Sequence, residues 1–201
     1  MANEKMIWNK LVGVFGLSVA GAAALMGNLY AESALIPTNL QNSYERKLGY
    51  DDARYTAAVD NGSYTQFVYD KAGYGLAQWT YHTRKAALYD FAKAQGKSIG
   101  DLDMQLDFLY KELKESYPKV LSALMTATDV RAASDVVMVQ FENPADQSET
   151  AKAKRASFGQ KYFEQFGSTS EPVTPPCPAS EAMIGTLTLG GKMYAVTLTE
   201  V

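Results

Sequence analysis

Cysteine, histidine and tryptophan are almost missing from this 201-residue chain, which has one Cys, one His and two Trp. With Cys177 alone, an internal disulfide and a Cys-rich metal site are both excluded. His82 alone excludes a multi-His zinc site. Positive charge is not in surplus either. Nineteen Lys and Arg stand against 22 Asp and Glu, a net charge of −3, and no long run has one sign. Nucleic acid is therefore not expected as a partner, since phosphate binding needs a basic footprint. A long hydrophobic run is lacking as well. "LVGVFGLSVAGAAALM" (11–26) follows Lys5 and Lys10 in the manner of a signal peptide or membrane helix. It is cut by Ser18 and three glycines and falls short of the roughly 20 residues of a span. Stable membrane insertion is not expected, and neither a metal nor an organic cofactor is implied. If the chain is an enzyme, its chemistry belongs to carboxylates.

What is present suits a full hydrophobic core: 47% of the residues are apolar and 11% aromatic. Ser18 is a good N-cap, so the first stretch is predicted as two helices, about 4–15 and 18–32. The second is rich in Gly and Ala, which lets other segments approach its backbone. Residues 36–82 are polar and rich in Asn, Gly, Asp, Thr and Tyr. There Asp51 or Asp52 opens one or two helical turns that stop at Asn61-Gly62, and "SYTQFVYD" (63–70) alternates like a short strand. Two glycines flank Tyr74 in "AGYGLAQWT" (72–80), where backbone can turn sharply or approach a ligand.

From residue 83 the pattern is helical again. Thr83, Asp101, Asp129 and Ser148 are the expected caps, Pro118 opens a shorter helix, and Gly96, Asn143-Pro144 and Gly167 are stops. Beyond Gly167 the composition changes. "GSTSEPVTPPCPAS" (167–180) reads as a Pro-rich linker, and two alternating runs around Gly190-Gly191 read as a β-hairpin. The predicted organisation is mainly α (α+β). A helical domain with a small irregular/β insertion covers 1–166, a linker 167–180, and a fragment of a β-rich, wall-binding type of domain 181–201.

One acid stands apart. In "AALMGNLYAESALIP" (23–37) the core-forming run ends on Glu32, and a buried acid costs free energy unless it is paired or kept neutral. Leu29, Tyr30 and Leu35 are near it in sequence and provide apolar surroundings of the kind that raise a carboxyl pKa. From the residues alone both a structural hydrogen bond and acid catalysis stay open.

Four motifs in order, "MGNLYAESALIPTNLQN" (26–42), "AGYGLAQWT" (72–80), "QLDFLYKEL" (105–113) and "FENP" (141–144) with "KRASFGQKYF" after it, carry a resemblance. Over residues 4–166 the chain resembles the lysozyme-like superfamily in its goose-type and lytic-transglycosylase branch, above all phage tail lysozymes and related endolysin domains. The resemblance implies a lysozyme-like fold and an N-acetylmuramidase-type peptidoglycan hydrolase with Glu32 as general acid. It places Gly75, Leu76 and Gln78 on the cleft opposite.

A second carboxylate is expected, as base or nucleophile. Asp70 is favoured because goose-type enzymes place a water-positioning Asp just before such a turn, and Asp51, Asp52 and Asp60 are the alternatives. Those enzymes carry another Asp shortly after their Gln, where this chain has Thr80. Lytic transglycosylation therefore stays open, as do glucosaminidase or chitinase action and a catalytically silent wall-binding module. Tyr74, Gln78, Trp79 and Tyr81 are the candidate sugar-binding wall, and Trp79 serves equally well as a core anchor. Glu142 is read as a brace of the cleft or a partner of Arg155. The expected partners are peptidoglycan glycan strands and other phage tail proteins. The expected place of action is the bacterial cell wall, reached from a virion tail or from the host cytoplasm at lysis.

Overall fold

The computed structural model describes residues 2–167, together with the backbone of residues 183–189 and 192–198. The linker expected at 167–180 lies, after Gly167, outside the described residues. The chain divides into two units, 1–169 and 170–201. In the second, β1 (Met183–Leu189) pairs antiparallel with β2 (Lys192–Leu198), Leu187 opposite Tyr194.

The first unit is mainly helical and is built around one buried helix. Helix α1 (Ala2–Asn9) runs into a wide π-turn over Lys10–Val14. Helix α2 (Val19–Ser33) opens at Ser18, whose Oγ accepts from the Gly21 N–H at 3.0 Å. Every residue from Ala20 to Leu29 is buried, as expected of a helix that is apolar on all sides.

Around α2 stand α7 (Pro118–Thr126), α8 (Val130–Val137) with a π-turn over Met138–Glu142, and α9 (Glu149–Phe166). The neighbours come unusually close because α2 shows them glycine. A Cβ on Gly27 would lie 2.6 Å from the Arg155 carbonyl oxygen and 2.7 Å from Gly159 Cα, and one on Gly159 would lie 2.9 Å from the Ala23 carbonyl oxygen. Thus α2 and α9 cross nearly backbone to backbone and run antiparallel. Ser18 docks the start of α2 on α7, its N–H and Oγ both donating to the Leu124 carbonyl at 3.2 and 3.0 Å. No described helix is long and apolar enough to cross a membrane.

The segment between α2 and α5 (His82–Ala94) contains two short helices, α3 (Asn42–Leu48) and α4 (Asp52–Asp60). Asp51 caps α4. The sequence reading has no counterpart for α3, because none of its residues is buried and it carries no apolar period. The strand expected at 63–70 is corrected to a pair of turns. Both Tyr69 and Asp70 donate their N–H groups to the Gln66 carbonyl at 2.9 Å. Phe67 and Asp70, three residues apart, are the ones pulled inward. The β character of this region reduces to two isolated bridges, Leu40 with Tyr74 and Tyr74 with Trp79.

Helix α6 (Leu102–Ser116), capped by Asp101, buries Leu106, Leu109 and Leu113 beside α5 and α7. Asp129 and Ser148 cap α8 and α9 as expected. Thr83 does not cap: α5 already begins at His82, with Tyr81 in the cap position.

The α2–α9 crossing generates a prediction. Gly27→Ala puts a methyl group against the backbone of α9, which cannot rotate away, so overpacking should lower stability by about 1–3 kcal/mol. Urea denaturation checks this. The same substitution at Gly13, where a Cβ meets nothing within 4 Å, should leave the midpoint unlowered.

Candidate active site

A polar cleft of about 640 Å³ opens where α2 ends. Its walls are Glu32 from α2, Gln41, the turn residues Ala77, Gln78 and Thr80, Tyr81 and Arg84 at the start of α5, Tyr117, and Phe141–Pro144 after α8. Two carboxylates, Glu32 and Glu142, share it.

Glu32 occupies the last turn of α2 and its side chain is 19% exposed. Arg155 Nη2 donates to its Oε1 at 2.5 Å, and Nη1 of the same guanidinium reaches the Asn28 carbonyl and Oδ1 at 3.5 Å. Asn28 is fully buried and donates to Ser134 Oγ at 2.9 Å, so α8 steadies the contact. Arg155 lies one helical turn before Gly159, and Glu32 just over one turn after Gly27. The glycine crossing therefore sets the reach of this ion pair.

Past Glu32 the chain bends abruptly, with Ala34 and Leu35 both at positive φ (53° and 60°). Two successive non-glycine residues in the left-handed region store strain of a kind that gathers at functional sites. Ser33 helps to hold the bend: its Oγ donates to the Leu29 and Leu76 carbonyls at 3.1 and 2.9 Å. The acid-bearing helix end is thus tied to the Gly75-Leu76 turn. Gln105 grips that turn from α6. Its Oε1 accepts from the Leu76 N–H at 2.9 Å, while its Nε2 donates to the Pro37 and Ile99 carbonyls at 2.6 and 2.7 Å. Gly75 (φ 74°) has no room for a side chain here, since a Cβ would lie 2.7 Å from Gln105 Oε1.

Glu142 closes the π-turn after α8. Asn143 follows in the left-handed conformation (φ 46°), and its N–H returns to the Met138 carbonyl at 2.8 Å. Glu142 Oε1 is buried and has no hydrogen-bond partner among the described residues. Burial pushes this carboxyl up to about 8, and the negative charge of Glu32 adds to the effect. Arg84 and Arg155 pull the other way, and Glu112 pushes up again. Arg84 is largely committed elsewhere, with Nε and Nη2 on the two oxygens of Glu112 at 2.6 and 2.8 Å. The group contains three carboxylates and two guanidiniums, so it is electrically balanced when one carboxyl carries a proton. Glu142, with its Oε1 buried and its carboxyl pushed up to about 8, is the one that holds it at neutral pH.

The residues expected at the site divide into two sets. Glu32, Gln78 and Tyr81 line the cleft. Gln78 (φ 45°) turns its Nε2 to Asn39 Oδ1 at 2.9 Å and to the Asn39 and Gly75 carbonyls at 3.1 and 3.2 Å. Tyr74 and Trp79 are corrected from sugar wall to core, as both are fully buried. The Tyr74 hydroxyl bonds Thr56 Oγ1 at 2.7 Å, and the Trp79 indole N–H donates to Glu112 Oε2 at 3.0 Å.

Asp70 is likewise not a cleft residue. Its side chain is 2% exposed and pairs with Lys85 Nζ at 2.5 Å. It also accepts from the hydroxyls of Tyr55 and Tyr64 and from the Ala72 N–H. Lys85, fully buried over the Phe67 ring, is pushed down by burial, which its bond to Asp70 counters. Of the alternatives, Asp51 caps α4, Asp52 Oδ1 accepts from the Leu40 N–H, and Asp60 accepts from Ser98 and Ile99. Glu142, expected from "FENP" as a brace of the cleft or a partner of Arg155, does stand on the cleft wall, while Arg155 hydrogen-bonds Glu32. Among the described residues no group of three or more His, Cys, Asp or Glu is placed to hold a metal ion.

A family model described as phage tail lysozyme matches residues 2–166. A search of curated proteins returns no match.

Two predictions follow from these environments. Asp70→Asn leaves a buried ammonium unpaired and should cost about 3–5 kcal/mol, while activity per folded molecule is retained well below the melting temperature. Paired melts and rate measurements check both halves. Glu142→Gln acts with the opposite sign. Wild-type Glu142 keeps its proton on folding up to about pH 8, while an ordinary Glu loses it near 4.5. Wild-type stability from this group is therefore full below pH 4.5 and lost as pH rises through 8. The amide never ionises, so the melting temperature of Glu142→Gln should gain on wild type from pH 4.5 upward and level off above 8.

Proposed function

Because the chain belongs to the phage tail lysozyme family, we propose that it is a glycoside hydrolase that cuts the peptidoglycan backbone beside N-acetylmuramic acid, with Glu32 as general acid and Glu142 as the second carboxylate. Family membership alone gives the coarser statement, a lysozyme-like function in peptidoglycan degradation. The observation that carries the finer reading is the pair of carboxylates on one cleft in unequal surroundings, Glu32 held by Arg155 and Glu142 with a buried Oε1 that has no hydrogen-bond partner among the described residues.

Such a pair divides acid and base work, and its protons belong to the pair rather than to either member. At rest Glu142 holds the one proton of the pair, and the productive form is the one in which that proton has passed to Glu32, the member held by Arg155 at the end of α2. Glu32 protonates the glycosidic oxygen as the bond to the anomeric carbon breaks. Once the proton has left, Glu32 is again the carboxylate that Arg155 holds at rest, so the guanidinium needs no reorganisation to stabilise it. Water then adds to the anomeric carbon and returns its proton to the pair, which restores the resting state. Asp70 has a structural task in this scheme, as the partner of Lys85.

Thr80 on the cleft wall favours a second reading, lytic transglycosylation, in which a sugar hydroxyl takes the place of water. In either reading the partner is the glycan strand of the bacterial wall, reached from a virion tail or after release at lysis. The unit ending near Gly167 is proposed to hold the whole catalytic centre.

Glu32→Gln preserves shape but has no proton to give, so wall clearing should fall by roughly 10²–10⁴-fold with the helical circular dichroism unchanged. Turbidity loss of purified walls measures this. Clearing near the wild-type rate would remove Glu32 from the chemistry.

A further inference from the structure

We propose that Tyr69 and His82, continuing from Tyr81 at the cleft edge, form a second saccharide-binding platform for the part of the glycan strand that runs on past the reacting bond. The proposal rests on the glycosidase reading above and adds a substrate contact to it.

Most aromatic side chains of the first unit are packed away, but Tyr69 is 70% and Tyr81 64% exposed. The two are not scattered. The Tyr69 ring lies 6.2 Å from that of His82 at 20°, and His82 lies 4.7 Å from Tyr81 at 45°. Together with Val68, Lys71 and Thr80 they line a groove of about 560 Å³. A continuous row of half-open rings is a poor device for stability, because the faces that would be buried in a core are left in water. It is a good device for a pyranose, whose C–H faces stack on aromatic rings while its hydroxyls meet the polar tips at the rim.

The occupant follows from continuity. Thr80 and Tyr81 line both this groove and the cleft of Glu32 and Glu142. A glycan strand seated in the cleft is longer than the bond it presents, and a strand leaving past Tyr81 meets Tyr69 and His82 next. A second copy of the chain or an apolar protein partner would have no such reason to begin at the cleft edge.

The platform has a rigid foundation. Tyr69 sits on the turn closed by the Gln66 carbonyl, and the next residue, Asp70, is anchored to Lys85 at 2.5 Å. Lys85 lies one turn along α5 from His82. The buried ion pair therefore fixes the turn that carries Tyr69 to the helix that carries His82, and the rings are spaced before any sugar arrives. Pre-set geometry of this kind lowers the ordering cost of binding.

The test uses the full chain carrying Glu32→Gln, so that glycan is not consumed. Peptide-free peptidoglycan strands and a tetrasaccharide of the same sugars are titrated by calorimetry. The long strand should bind tighter, and adding Tyr69→Ala should weaken it by roughly 2- to 10-fold while tetrasaccharide affinity is unchanged. Tyr69→Phe should restore the long-strand affinity, and equal melting temperatures exclude a folding defect. Unchanged long-strand affinity in Tyr69→Ala overturns the platform while the glycosidase reading stands. Failure of both saccharides to bind overturns that reading, and the platform with it. If Tyr69→Ala instead abolishes self-association in sedimentation without touching glycan affinity, the face is a contact between copies and the platform is overturned.

Discussion

The close meeting of α2 and α9 at Gly27 and Gly159 is the constraint on which the rest of the molecule depends. Only hydrogen at those positions lets the two backbones come so near. The approach puts Arg155 within 2.5 Å of Glu32 across two helices. It also leaves α2 buried from Ala20 to Leu29, so that Glu32 lies in the short last turn where, starting at Tyr30, this helix comes to the surface. The chain then turns through two left-handed residues, and Ser33 joins the turn to Leu76. Helix packing, the strained bend and the Gly-rich turn are therefore one mechanical unit, and its output is the position of a single carboxyl group.

Electrostatics gives that position the chemistry proposed for it. Three acids and two arginines converge from α2, α5, α6, α9 and the turn after α8. Arg84 is forked on Glu112 and Arg155 is on Glu32, so Glu142 is left without a cation of its own and without a hydrogen bond on Oε1. Burying a carboxylate in that condition costs far more than keeping its proton. Glu142 thus keeps a proton, while Glu32 is held by Arg155 on the same cleft. The Lys85–Asp70 pair is the contrasting case. There both charges are buried, mutually paired and surrounded by hydroxyl donors, and that arrangement stiffens a turn instead of leaving a reactive group.

Local signals in the sequence carried much of the fold. Ser18, Asp51, Asp101, Asp129 and Ser148 each cap the helix expected of them, because capping depends on a few neighbouring residues. Glu32 was legible for a similar reason: an acid at the end of an apolar run is anomalous on its face. Features that depend on distant partners were not legible. Asp70 stands before a Gly-Tyr-Gly turn, as a water-positioning residue would, but its burial is decided by Lys85 on another element. Tyr74 and Trp79 look like sugar-stacking rings until Thr56 and Glu112 are seen to receive their polar ends. Glu142 matters only because the fold brings "FENP" against the end of α2, and no spacing rule joins residues so far apart in the chain. Alternation at 63–70 misled for want of a partner strand, since an isolated period-2 run has nothing to pair with there.

The central claim is that this cleft uses the proton shared by Glu32 and Glu142 to hydrolyse the glycan backbone, and the products of digestion test it most directly. Purified peptidoglycan is digested with the full chain, and the soluble fragments are resolved by mass spectrometry. The account expects new reducing ends at N-acetylmuramic acid, with one water added per bond cut. Anhydro-muramic ends, which lack that water, would contradict hydrolysis and assign the same cleft to transglycosylation. Reducing ends at N-acetylglucosamine would contradict the choice of bond, and intact strands would contradict catalysis altogether.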